Sequence, residues 1–100
     1  MPLRFEWDKR KAISNLSKHS VSFDEASTVF QYPLARIFDD ETHSAEEPRE
    51  IIIGHSITNR LVVVSFTEKP SGAVRLISAR LATRNEREDY EENQQIQRFS

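Results

Sequence analysis

Four arginines, Arg75, Arg80, Arg84 and Arg87, fall where an apolar run gives way to a polar, charged one. A guanidinium stays charged and binds phosphate oxygens two at a time. A helix beginning at the same point adds the positive end of its dipole. A phosphate site is therefore the functional reading of this junction. The structural reading is a solvated surface whose arginines pair with nearby acids. Groups able to move protons stand in the same stretch, Glu86 and Tyr90, and far upstream, His43.

The junction reads as strand, tight turn, helix. Residues 73–79 have strand composition, and Thr83 and Glu86 have the S/T-x-x-E spacing of a capping box. Tyr90 follows Glu86 by one turn on the same helix face. Arg75 and Arg80 differ by an odd number, so a regular strand puts them on opposite faces. They share a face only if a bulge intervenes or Arg80 lies past the strand end.

Upstream, residues 3–7 alternate as a short strand with Leu3, Phe5 and Trp7 on one face. Asp8 is a good N-cap for a helix over 9–18, with Ala12, Ile13 and Leu16 as its apolar stripe. Ser22 and Glu25 form a second capping box, with Val21 as a staple against Ala26. The helix that follows runs from 23 to about 31, buries Phe23, Ala26, Val29 and Phe30, and stops at Pro33. Strands are expected over 34–38, 51–57, 61–67 and 73–79. An acidic loop over 39–49 carries His43. Residues 58–60 form a hairpin turn, and 68–72 a turn with Pro and Gly. Short connections make the last three strands an antiparallel meander. Residues 61–64 are apolar on both faces, so that strand is central. A third helix after Thr83 runs to about Gln97, and its few apolar residues predict fraying over 93–100. The class is α+β, ordered β-α-α-β-β-β-β-α, with an antiparallel sheet covered on one face by the two early helices.

One hundred residues make a single domain. Net charge is −2: seven Lys/Arg against ten Asp/Glu in the first fifty residues, and seven against six in the last fifty. That is not the balance of a protein that coats nucleic acid non-specifically, so any such contact needs a local basic patch. The chain has no cysteine, which excludes disulfides and thiolate metal sites. A lone histidine among the acids of 39–49 is a weak metal signal, and no metal or other cofactor is expected. There is no apolar signal-peptide core near the N-terminus and no run near the roughly twenty apolar residues of a membrane span, so a cytoplasmic protein is expected.

Several pieces occurring in order resemble the BrnT toxin family. They are Phe5-Glu6-Trp7-Asp8, Lys11, Asn15, Lys18-His19, Val21-Ser22-Phe23 and Ala26, then Glu47 and Arg49 before Ile51, and Gly54. Ile77-Ser78-Ala79-Arg80, Ala82-Thr83, Glu86 and Tyr90 complete the resemblance, which ends at about Glu92. It implies a RelE-like fold and a ribonuclease toxin of a type II toxin–antitoxin pair. It also implies a BrnA-type antitoxin that folds onto the toxin and carries the DNA-binding part. The complex would then touch operator DNA only through the antitoxin, as a dimer of toxin–antitoxin pairs.

A metal-independent ribonuclease must take a proton from the RNA 2′-hydroxyl, stabilise a dianionic phosphorane and protonate the leaving oxygen. For that chemistry Arg80 is the first choice, with Arg75, Glu86, His43 and Tyr90 as the further catalytic candidates. Arg84, Arg87 and Arg60 are the candidates for holding RNA. The competing class is a non-catalytic binding module whose arginines dock an acidic segment of a partner protein.

Overall fold

The structure, a computed structural model, describes residues 3–40 and 48–99, with side chains through Asn93. Five strands form one mixed sheet in the order β1-β5-β4-β3-β2. These are β1 (Phe5–Glu6), β2 (Arg36–Asp39), β3 (Glu50–His55), β4 (Leu61–Glu68) and β5 (Val74–Leu81). β2 through β5 are antiparallel, whereas β1 lies parallel to β5 at the edge. β4 is central, as its two-sided apolar run requires. Three helices complete the fold: α1 (Lys9–His19), α2 (Phe23–Thr28) and α3 (Arg84–Phe99), with a 3-10 turn over Val29–Gln31.

The α2 segment closes one face of the sheet. Val21, Phe23, Ala26 and Val29 pack with Ile52, Val62, Val64, Phe66, Leu76 and Ala79. Each of the Val, Ile, Leu and Phe side chains among them contributes about 1.5–3 kcal/mol relative to exposure. Ser22 Oγ accepts the Glu25 amide at 3.0 Å, but the second half of that capping box is not made. The Glu25 carboxylate instead accepts from Ser56 Oγ, Thr58 Oγ1 and the Arg60 guanidinium, tying the helix to the β3–β4 turn.

The expected stripe of α1 is corrected. Ile13 and Leu16 are 71% and 52% exposed, and the residue that α1 buries is Asn15. The reason lies in β5. Its outer edge is covered by only two residues of β1, opposite Val74 and Arg75. Further along, Asn15 stands in for a strand. Its Nδ2 donates to the Ala79 carbonyl at 2.8 Å and to the Val21 carbonyl at 2.9 Å, and its Oδ1 accepts the Ala79 amide at 3.0 Å. A buried backbone edge needs such partners more than it needs apolar contact.

The opposite face of the sheet is partly covered by α3. Tyr90 packs there against Ile53, Leu61 and Val63. The rest of that face stays open and carries the groove described next.

Candidate functional site

The bulge on which a shared arginine face depended is present. Ser65 pairs with Ser78, and Phe66 pairs with Leu76, so Ile77 is an extra residue in β5. The inversion puts Arg80 opposite Val63 and Arg75 opposite Thr67, both on the open face. The two arginines are nonetheless separated by four residues of β4, about 14 Å at a strand's rise. Arg75 does not line the groove that Arg80 borders. Arg75 instead stands beside Glu6 in the β1 register.

Arg80 borders a cavity of about 290 Å³ on the open face, where Arg49, Asp40, Ser65 and Ser78 also contribute. Its guanidinium is fixed from one side. Nη1 donates to Glu86 Oε1 at 2.7 Å, and Nη2 donates to Glu86 Oε2 at 2.9 Å. Glu86 is fixed in turn by the capping box at the start of α3. Its Oε1 accepts the Thr83 amide at 2.8 Å, and its own amide donates to Thr83 Oγ1 at 3.2 Å. The capping role and the ion pair of Glu86 are thus one arrangement. Among the described residues Arg80 Nε has no partner, so the edge formed by Nε–H and an Nη–H remains for a ligand. That edge matches two oxygens of a phosphate.

The electrostatics follow from this contact. Hydrogen bonding from Arg80, with the Thr83 amide and the guanidinium charge, holds Glu86 far below the ordinary carboxylate range, at about 2. The same partner raises the pKa of Arg80, so the pair stays doubly ionised at neutral pH. A carboxylate that acidic is a feeble base. Its effect is to orient Arg80.

The remaining candidates occupy different positions. Tyr90 is buried, and its hydroxyl donates to the Leu34 carbonyl at 2.6 Å. Burial pushes its pKa up to about 12, so it anchors α3 and is poorly suited to proton transfer. Arg84 and Arg87 lie on α3 outside the groove, held only by i,i+4 pairs to Glu88 at 3.2 Å and Glu91 at 3.9 Å. Exposed pairs of that kind are worth about 0–1 kcal/mol and leave both arginines open to phosphates. Arg60 is not beside them. Its Nε donates to Glu25 Oε2 at 2.9 Å and its Nη2 to Glu25 Oε1 and the Ser20 carbonyl, all on the helix-covered side. This corrects the expectation that Arg60 joins an RNA-holding surface: its donors clamp the turn to α2. His43 lies outside the described residues.

Two residues that line the groove, Arg49 and Asp40, were not among the site candidates read from the sequence. Arg49 precedes β3 at the alternation of Ile51 and Ile53, which is enough to put it on the open face. Asp40 reaches the groove because its amide donates to the Arg49 carbonyl at 2.8 Å, extending the β2–β3 ladder. His55 shares the face of Ile53 but does not line this groove; its ring is 5.1 Å from Tyr32 and 6.0 Å from Tyr90. A second cavity, of about 250 Å³, adjoins the first. Ile51 and Val63 line both, with Arg80 in one and Glu86 in the other. Among the described residues no three His, Asp or Glu side chains converge as a metal site, and no helix is long and apolar enough to cross a membrane.

Comparison with known proteins agrees with this architecture. No curated protein matches the chain in sequence. Among solved structures, the chain is similar to the Brucella abortus ribonuclease toxin BrnT, with 25% identity and a TM-score of 0.65, covering 83% of this chain and all of that one. Residues 7–86 match the family model described as ribonuclease toxin, BrnT, of type II toxin–antitoxin system. That span includes the bulged β5, Arg80, the capping box and Glu86, and the chain therefore belongs to the BrnT family of ribonuclease toxins of type II toxin–antitoxin systems.

Proposed function

We propose that this chain cleaves RNA without a metal, with Arg80 as the catalytic residue that stabilises the phosphorane and Glu86 as the residue that positions it. The observation that carries the reading is the half-used guanidinium of Arg80. Two donors are locked onto Glu86, and the Nε edge is left at a groove that also holds Arg49 and Ser78. In the reaction the 2′-oxygen bonds to phosphorus and loses its proton to a base. The bond from phosphorus to the 5′-oxygen breaks, and that oxygen takes a proton. The products are a 2′,3′-cyclic phosphate and a 5′-hydroxyl. Arg80 offers fixed donors to the oxygens on which charge accumulates, so the step needs no reorganisation of the site. His43 follows Asp40 by three residues in sequence, and its pKa class suits both proton transfers. Arg84 and Arg87 add two exposed cations for RNA phosphates on a helix that is otherwise mainly acidic.

Membership of the family implies an antitoxin partner. We assign it to the BrnA type, forming a dimer of toxin–antitoxin pairs that reaches operator DNA through the antitoxin. RNA cleavage in the cytoplasm would stop translation and growth until the antitoxin neutralises it.

The test is cleavage of end-labelled RNA by purified protein, with and without a chelator. Wild type is expected to give cyclic-phosphate ends in both conditions. Arg80→Ala is expected to lose activity by about 10²–10³-fold while remaining folded at the assay temperature. Undiminished cleavage by folded Arg80→Ala removes Arg80 from the mechanism. Loss of wild-type cleavage on chelation removes the metal-free step. No cleavage by folded wild type favours the binding module, in which the same guanidinium edge docks a partner's carboxylates.

A further inference from the structure

The cleavage chemistry leaves the second cavity unused. Ile53 and Val63 form its apolar floor, and Phe38, 48% exposed, stands at its side. The Arg36 guanidinium lies 5.8 Å from the centre of the Phe38 ring. Asp89 and Asn93 of α3 complete the rim. We propose that this cavity is a nucleobase pocket that selects guanine beside the phosphate held by Arg80.

The shape and the surfaces suit a base. Unstacked RNA bases settle on aromatic rings and guanidinium planes, and their edges are then read by hydrogen bonds. Phe38 and Arg36 supply those two surfaces together. The position suits a base as well, because the two cavities share walls and the Arg80–Glu86 pair spans them. A nucleotide whose phosphate meets Arg80 has its base within reach of the second cavity. This inference rests on the proposed reading of Arg80 as the phosphate site.

The rim decides which base. The Asp89 carboxylate has no hydrogen bond or ion pair among the described residues. Asn93 Nδ2 spends one of its two N–H groups on the Asp89 carbonyl at 2.9 Å, and its Oδ1 is an acceptor. The Tyr90 hydroxyl donates to Leu34, and Glu86 is spent on Arg80 and Thr83. The charged group that the α3 side of the rim offers is thus an acceptor, the Asp89 carboxylate, beside the remaining N–H and the Oδ1 of Asn93. Guanine alone among the four bases presents two adjacent N–H donors, N1–H and the 2-amino group, on its Watson–Crick edge. A carboxylate such as that of Asp89 accepts both. An apolar side chain of the antitoxin would also fit the floor, but it would leave the Asp89 carboxylate without a donor at the contact.

The test is titration of the full chain with 3′-GMP, 3′-AMP, 3′-CMP and 3′-UMP, and with guanosine, followed by NMR. None of these ligands has to be cleaved. The expected result is 3′-GMP binding about tenfold or more tighter than the other three, the lower part of the range for a paired base-edge contact. Asp89→Asn, an exposed position, is expected to erase that preference while leaving 3′-UMP affinity unchanged. Guanosine is expected to perturb α3 even in Arg80→Ala. Equal affinity for the four nucleotides overturns the proposal, as does a guanine preference that survives Asp89→Asn. Capture of an antitoxin segment in the cavity with no nucleotide binding also overturns it. Guanine-selective binding by a protein that cleaves no RNA keeps this pocket and removes the nuclease mechanism. Arg80-dependent cleavage with no base preference does the reverse.

Discussion

Replacing Asn15 by alanine is the sharpest test of how the edge beside Arg80 is held. The substitution removes two donors and one acceptor and leaves three backbone groups without partners: the carbonyls of Val21 and Ala79 and the amide of Ala79. A hydrogen bond contributes about 1 kcal/mol net, and an orphaned buried polar group costs about 1–3 kcal/mol. Asn15 is 6% exposed, so water entering the vacated volume restores some of those bonds. The expected loss is about 3 kcal/mol, a large part of the roughly 5–15 kcal/mol of a domain this size. The melting temperature should fall by roughly 12–24 °C, at about 4–8 °C per kcal/mol. Urea unfolding followed by circular dichroism measures the free-energy loss, and a thermal scan the shift in melting temperature. Asn15→Asp keeps the volume but loses both donors and buries a charge, and should be at least as damaging. Leu16→Ser on the same helix should stay within about 0.5 kcal/mol. A loss below about 1 kcal/mol for Asn15→Ala would refute the strand-substitute argument. So would a larger loss for Leu16→Ser than for Asn15→Ala.

Acid sensitivity should reside in two glutamates. Glu25 and Glu86 are each lowered from 4.5 to about 2, chiefly by hydrogen bonds from Arg60 and Arg80. The unfolded chain therefore binds more protons through this range, and stability is lost as pH falls from about 4.5 towards 2. Glu25 is the less exposed of the two, 12% against 35%, so Glu25→Gln should flatten the acid limb of a stability–pH curve more than Glu86→Gln. Tyr90→Phe keeps the ring but removes the bond to Leu34, and should cost about 1 kcal/mol in chemical unfolding. Gly54→Ala would place a Cβ 2.9 Å from Ala35 Cβ and 3.2 Å from Val29 Cγ1; overpacking of that kind costs about 1–3 kcal/mol, and an unchanged melting temperature would contradict it.

The sequence by itself determined the elements and their order. Local rules carry that information: the two-sided apolar run of β4, the Asp8 cap whose Oδ1 accepts the Arg10 amide at 2.8 Å, and the Thr83–Glu86 box. Those same rules placed Arg80 and Glu86 at one junction. Tertiary structure decided what their side chains do. The capping spacing at Ser22 and Glu25 is as good as that at Thr83 and Glu86. Yet one carboxylate turns away to Arg60 while the other caps its helix and holds Arg80. The choice depends on which guanidinium the fold brings near, a long-range fact with no local signal. The shared face of Arg75 and Arg80 likewise hangs on one extra residue, Ile77, whose bulge is set by pairing with β4. On α1 the helical period singled out Ile13 and Leu16. The partner waiting there was an unpaired backbone edge, which only an amide such as Asn15 could satisfy.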